Sequence, residues 1–335
     1  MGEITSTISD VFPAKRIAIV GDLVADQFLN GTISRVSREA PVFILRHDTT
    51  TTEPGAAANA AANVASLGGQ PSLIGLVGAD ENGDLLLSRL AESGVDCSNI
   101  VRSEDLKTTT KVRVLAGQHY AARQQVIRID YENPAAVSLS ARQQLRDKLQ
   151  AAADSIDAII VSDYNLGAVD DEIFEVARSI SQRRHIPLIV DSRYRLTAFA
   201  GATTATPNRE EVEQILGKNF GAAECENLRS RLAFEALLIT NGNQGITLFE
   251  SGREPHSIAA VGSAEPVDVT GAGDTVIAAY ALGLASGLSF AEGANIANHA
   301  GGLVVMKKRT ATVSAEELAD SFAPSLDSIA SVTSN

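Results

Sequence analysis

Asp268-Val269-Thr270-Gly271-Ala272-Gly273-Asp274 runs straight into an apolar, helix-forming stretch. Small residues at 271 to 273 let the backbone turn tightly and leave several N–H groups facing outward at a helix start. The helix dipole adds positive potential there, so an oxyanion or a phosphate is stabilised. Asp274, at the helix start, can take the proton from a hydroxyl held beside that anion hole, which is general-base catalysis of phosphoryl transfer. A glycine turn whose aspartate merely caps a helix would explain a lone Gly-x-Gly. Two aspartates bracketing Thr-Gly-Ala-Gly favour the chemical reading.

Other residue types in the chain could complete such a site. Asp22 ends the first apolar run, where open α/β sheets place ligands, and Asp26 adds a second inward carboxylate. A solvated strand-end aspartate is the plain alternative. Gly55-Ala56-Ala57-Ala58-Asn59 opens an alanine-rich helix, and Asn208-x-x-Glu211 has the spacing of a capping box. Thr240-Asn241-Gly242-Asn243-Gln244-Gly245 follows a buried run and, taken alone, reads as a hairpin turn. Lys111 and Arg113 alternate onto one face of an extended segment, with Arg35, Arg38, Lys107, Arg123 and Arg128 nearby in sequence or in the same β-rich segments. These cations suit an acceptor that carries a phosphate. They also suit an edge strand guarded against pairing.

The elements that must position these residues alternate almost throughout. Strands are expected at 16–22, 72–77, 158–162, 187–191, 236–240 and 246–250. Helices are expected at 56–67, 83–93, 139–153, 171–183, 209–216, 274–285 and 290–306. Continuous apolar strands separated by helices predict an α/β fold with a mostly parallel sheet covered on both faces. Residues 30–52 and 108–132 break that rhythm with alternating β-branched and polar positions, and read as a small β lid. One domain over 14–320 is expected, with residues 1–13 and the Ser-rich 323–335 as frayed ends.

Composition narrows the function classes. The 335 residues carry 44% apolar and 21% charged side chains, as a folded globular chain does. Against 41 acidic side chains stand 28 basic ones, a net charge of −13 that opposes binding to nucleic acid or anionic membranes. Small phosphates still fit, since backbone N–H groups and a few local cations hold them. No apolar run spans a membrane, and the first residues lack a signal-peptide layout. Cys97 and Cys225 have no metal-type spacing and read as reduced thiols of a cytoplasmic protein.

Asp268–Asp274 resembles the C-terminal signature of the PfkB (ribokinase-like) carbohydrate kinases. Gly55 to Asn59, with Leu67-Gly68 beyond, resembles the family's N-terminal signature, in which the second glycine is Ala56 here. The resemblance runs from Arg16 to Leu318. Within the family it is nearest to the D-glycero-β-D-manno-heptose-7-phosphate kinase domain of bacterial ADP-heptose synthases. Ser34 to Pro41, Thr109 to Val114, Ser162-Asp163-Tyr164, Thr206-Pro207-Asn208 and Thr312-Val313-Ser314 carry that likeness.

The resemblance implies a ribokinase-like three-layer α/β/α fold whose β lid covers the sugar and often forms a homodimer. It implies ATP as donor with Mg²⁺, Asp274 as base, and Gly271, Ala272 and Gly273 as anion hole. Asp22, Asp26, Gly55, Ala56 and Asn59 would meet the sugar, with Lys111 and Arg113 at an acceptor phosphate. Asn208, Thr240, Gly242, Gly245 and Asn298 would serve ATP, and Glu211 would organise magnesium-bound water. Two departures stand out. No lysine occurs in Asp163-Tyr164-Asn165-Leu166-Gly167, and Arg309 replaces a glycine, which weakens the family's monovalent-cation site. The chain stops where the fused nucleotidyltransferase of the synthases begins, so the kinase step alone is expected. The alternatives are a kinase of another sugar, ribokinase-like or acting on a keto sugar, and a catalytically silent regulator that binds sugar or nucleotide. A binder needs no base, so Asp274 beside the glycine turn argues against the silent reading.

Overall fold

Strand β1 (Arg16–Gly21) sends Ile17 and Ile19 into one hydrophobic core, and Ala18 and Val20 into another. Its side chains alternate across the sheet, so a strand apolar at every position must be covered on both faces. The computed structural model describes residues 2–117, 123–133, 136–263 and 265–323. Helix α1 (Gly2–Ser6) precedes β1. Then come β2 (Leu23–Val36), β3 (Phe43–Ala56), α2 (Ala57–Ser66), β4 (Gln70–Gly78), α3 (Glu81–Glu92) and β5 (Ile100–Ser103). Next are β6 (Thr110–Gly117), β7 (Gln124–Tyr131), α4 (Leu139–Ala152), β8 (Ala158–Asp163), α5 (Asp171–Arg184), β9 (Leu188–Ser192) and β10 (Thr204–Ala205). The remainder is α6 (Arg209–Leu216), α7 (Ala222–Arg231), β11 (Ala236–Thr240), β12 (Ile246–Glu250), β13 (His256–Ile258), α8 (Ala272–Ala285), α9 (Phe290–Val304) and α10 (Ala315–Asp320).

Nine strands form the main sheet in the order β13-β12-β11-β10-β9-β8-β1-β4-β5. Pairing is parallel from β11 to β5, and β12 and β13 close one edge antiparallel. Helices α2, α8 and α9 cover one face, while α4, α5 and α7 cover the other. Ala57, Ala58, Ala60 and Ala61 are fully buried in α2, and their small side chains let this helix pack close against β1 and α8. The second sheet is the lid, in the order β3-β2-β6-β7. Its register sets Lys111 beside Asp26, and Arg113 beside Phe28 on one side and Arg128 on the other.

Two expectations need correction. The lid strands begin well before residue 30 and end beyond 52, at Leu23 and Ala56. Leu23, Val24 and Ala25 are buried and pair with Ala56, Gly55 and Pro54, so their apolar pattern looks like core although the backbone already belongs to the lid. The N-terminus is ordered rather than frayed: Gly2–Ala14 is helical, with Ile8 and Phe12 fully buried. Ile4, Ile8 and Phe12 recur every fourth residue and make the stripe that docks it. Residues 118–122 of the lid segment and 324–335 of the tail lie outside the described residues. Among the described residues, no helix is long and apolar enough to cross a membrane.

Candidate active site

Gly271 takes φ +77° immediately before α8, in the left-handed region that glycine tolerates best, and a Cβ there would lie 2.5 Å from Asn59 Nδ2. Beyond it, the N–H groups of Gly273 and Asp274 fall in the first turn, where no intrahelical acceptor exists. Asp268 shapes this turn from behind. Its Oδ1 accepts the Thr270 N–H at 2.9 Å and its Oδ2 the Arg309 N–H at 2.9 Å. Asp274 is buried at the head of α8. Asn59 Nδ2 donates to its Oδ2 at 2.7 Å, and the Tyr164 hydroxyl to its Oδ1 at 3.2 Å. Burial pushes the Asp274 carboxyl up to about 7; the two hydrogen bonds pull it down and the charge of Asp26 pushes it up. A carboxylate tuned to neutrality is suited to receive a hydroxyl proton.

In front of Asp274 opens a cavity, with Asp26, Lys111, Arg113 and Arg128 on its lid side. Tyr164, Asp191, Arg193, Asn208 and Glu211 line it from the ends of the parallel strands and the loops after them, and Gly271–Asp274 form its floor. Asp26 is buried and bound by Arg113 Nη1 at 2.5 Å; burial raises its pKa and the guanidinium draws it back. Gly55 leaves room for that carboxylate, because a Cβ there would come within 2.7 Å of Asp26 Oδ2. Ala56 lines the same cavity at φ +56° and ψ −132°, a conformation natural to glycine, so strain is stored at the wall. Arg35, Arg38, Lys107 and Arg123 do not line the cavity; Arg123 pairs with Asp48 at 2.7 Å instead.

Two expected sugar contacts are placed otherwise. Asp22 accepts the backbone N–H groups of Tyr164, Leu166 and Ala168 at 2.8, 3.0 and 2.9 Å. Its carboxylate is spent on the loop that carries Tyr164, since the chain turns into the lid directly after β1. Asn59 spends its amide on Asp274, and its own orientation is set by Asn63, whose Nδ2 donates to Asn59 Oδ1 at 3.2 Å. Asn63 is held in turn by the Thr275 hydroxyl at 2.8 Å. Asp191, Arg193 and the hydroxyl of Tyr164 escaped sequence reasoning. Asp191 lies near the C-terminal end of β9, the same kind of position that drew attention to Asp22, and the strand-end rule applied to every strand finds it. Burial, with the charges of Glu211, Asp274 and Asp163, pushes the Asp191 carboxyl well above its ordinary range.

Asn208 and Glu211 form a full capping box: Oδ1 of Asn208 accepts the Glu211 N–H, and Oε2 of Glu211 the Asn208 N–H, both at 2.9 Å. Both also face the cavity, so the two readings of this motif coexist. Burial raises the Glu211 pKa. Beside them Thr206 Oγ1 is buried, lines the cavity and has no hydrogen-bond partner among the described residues. A second cleft is walled by Thr240, Gly242 and Gly245 on one side and by Val261, Val276, Asn298, Gly301, Gly302 and Val305 on the other. Asn298 Nδ2 donates to the Ala259 carbonyl at 2.7 Å, fixing the strip of chain that edges the cleft. Thr240, Val269, Ala272 and Gly273 line both spaces.

An anion-stabilising turn gains a catalytic use when two reactants reach it from different sides, and here the turn is the wall between two clefts. This is the arrangement of a kinase that phosphorylates a small-molecule hydroxyl on a doubly wound α/β fold. The chain belongs to the pfkB family of carbohydrate kinases, matched over residues 14–317. It is an ATP-dependent sugar kinase. It is 38% identical over 320 residues to the bifunctional protein HldE of Gluconobacter oxydans, covering 92% of this chain and 64% of that one. The HldE of Aeromonas salmonicida is 38% identical over 316 residues, covering 93% and 64%. The chain thus spans less than two thirds of these relatives' length. Among solved structures, Arabidopsis thaliana ribokinase complexed with ribose and ATP superposes with a TM-score of 0.71 at 20% identity, covering 93% of this chain and 99% of that one. Escherichia coli phosphofructokinase-2 with fructose-6-phosphate gives 0.71 at 19%, covering 91% and 97%. These two likenesses establish the ribokinase-like fold.

Proposed function

We propose that the chain transfers the γ-phosphoryl group of ATP to the anomeric hydroxyl of D-glycero-β-D-manno-heptose 7-phosphate, giving the 1,7-bisphosphate. The observation that carries this reading is the cluster of Lys111, Arg113 and Arg128 on the lid side of the cavity facing Asp274. In a chain of net charge −13 no long-range field draws in a phosphosugar, so local cations must hold its distal phosphate. Arg113 is paired with Asp26 and Arg128 with Asp130, whereas Lys111 has no ion-pair partner among the described residues. The likeness to HldE proteins over most of the chain supports the same acceptor.

Asp274 takes the proton of the attacking hydroxyl, and the Gly271–Gly273 turn receives the charge on the transferred phosphoryl group. Asp26, with Gly55 and Ala56 behind it, orients the sugar. ATP lies in the second cleft against Thr240, Gly242, Gly245 and Asn298, with its phosphates toward Asn208. The family implies a divalent metal. Glu211 and Asp191 are hard oxygen donors facing the cavity, and they fit Mg²⁺ held through water and phosphate oxygens. Arg309 stands where the family has a glycine near its monovalent-cation site, so a need for that cation is not carried over to this chain. The chain acts in the cytoplasm, where its donor is found, as a homodimer joined through the lid.

One observation favours an unphosphorylated sugar instead: the loop 163–167 offers no cation, in a segment where heptose kinases commonly carry a lysine. ADP release measured with the heptose phosphate, ribose, fructose and fructose 6-phosphate decides. The heptose phosphate is expected to give the highest kcat/KM, and Lys111→Ala to raise its KM at least about tenfold with the KM for ATP little changed. A higher kcat/KM for any unphosphorylated sugar would overturn the acceptor while leaving the kinase.

A further inference from the structure

Phe28 lies two residues beyond Asp26 on β2, so both side chains leave the same face of the strand. Its ring is buried and carries two guanidinium groups, Arg113 at 5.5 Å and Arg309 at 5.4 Å from the centroid. Arg113 belongs to the lid and holds Asp26. Arg309 belongs to the main domain, between α9 and α10. Its Nη1 donates to Thr51 Oγ1 at 3.2 Å, and Thr51 is the register partner of Phe28 on β3. The backbone N–H of the same arginine is bound by Asp268, whose other oxygen holds Thr270 at the start of the anion-hole turn. One residue thus touches the turn with its backbone and the lid with its side chain. It does so at φ +63°, a conformation that glycine would adopt at lower cost.

We propose that Arg309 is a positioning residue that latches the lid over the cavity and couples Asp26 and Arg113 to the turn that receives the phosphoryl group. From this left-handed backbone the side chain reaches out of the main domain to the lid, at Thr51 and Phe28. Loss of the stacking and of the hydrogen bond to Thr51 frees β2 and β3 to lift, which admits water to the cavity. The inference rests on the reading that this cavity holds the sugar acceptor, and its test separates the two.

Wild type, Arg309→Gly and Arg309→Lys are compared by melting temperature, kinetics and backbone amide exchange without ligand. Arg309→Gly is expected to melt close to wild type, because relief of the backbone strain offsets the lost stacking and hydrogen bond. Its acceptor KM should rise about tenfold, its KM for ATP stay within about twofold, and its ATP hydrolysis without acceptor increase. Arg309→Lys should recover part of the acceptor KM. Amides of Leu23–Ala56 should exchange faster in Arg309→Gly. Unchanged lid exchange, with or without a fall in melting temperature, overturns the latch, as does an acceptor KM within twofold of wild type. If wild type phosphorylates none of the sugars, the acceptor reading fails, and lid exchange alone still decides the role of Arg309.

Discussion

Asp274 is held where a carboxylate is costly. Its native value of about 7 lies above the ordinary 3.8, so the folded state binds the proton more tightly than the unfolded chain. The stability this group contributes is complete below about pH 4 and is lost as pH rises through about 7. Asp274→Asn should therefore melt higher than wild type at pH 8, with a smaller difference at pH 5, while kcat falls by roughly two to four orders of magnitude. For wild type, kcat/KM should rise with pH along a limb centred near 7. Turnover of the variant within about threefold of wild type would remove Asp274 from the chemistry. This aspartate was legible in the sequence because a glycine turn and a helix start are local patterns. Asp22 was legible from its place at a strand end, and Asp26 as a second carboxylate beside it. Which of them faces the cavity depends on where the chain leaves the main sheet, and the three amides that claim Asp22 come from a loop about 140 residues away in sequence. The hydroxyl of Tyr164 reaches Asp274 across a similar separation, with no spacing to announce it.

The short helix α6 shows how one element serves structure and chemistry together. Its first turn is closed by Asn208 and Glu211, and the same two side chains face the cavity. Glutamine at the third helical position keeps a capping box but carries no charge. Glu211→Gln should thus retain the wild-type melting temperature yet lose activity that added magnesium partly restores. Glu211→Ala should lose the same activity and about 1 kcal/mol of stability. Full activity in Glu211→Gln at low magnesium would leave Glu211 a cap and nothing more. Most elements could be read from periodicity, and α6, β11 and β12 fall on their expected residues. Helix α7 could not, because its exposed face is charged and only Cys225, Leu228 and Arg229 are buried. The N-terminal helix was missed for a related reason: its stripe of Ile4, Ile8 and Phe12 is a single residue wide.

At the scale of the molecule, the lid has two faces of different character. Lys111, Arg113 and Arg128 turn inward to the cavity, so alternation sends Val112, Val114, Ile127 and Ile129 outward. Ile127 and Tyr131 are more than half exposed, at 54% and 57%. An apolar sheet face of this kind asks for a cover, and a second copy of the lid is the proposed one. Ile129→Asp should convert a dimer to a monomer in sedimentation analysis, with the main domain's melting little affected. A wild-type monomer at assay concentrations would dispose of the lid dimer. The lid's existence was legible from alternation, but its extent was not, since Leu23 to Ala25 are as apolar as the strand before them. The turn at 271–273 has a consequence for ligand design. On the proposed assignment, the sugar and nucleotide spaces adjoin, among the described residues, along Thr240, Val269, Ala272 and Gly273. A single compound carrying an adenosine and a sugar joined by a phosphate tether would occupy both at once, its second half binding at an effective concentration set by the tether. Its selectivity would then rest on the lid-facing half, with its array of Lys111, Arg113 and Arg128, while the adenosine half supplied the second anchor.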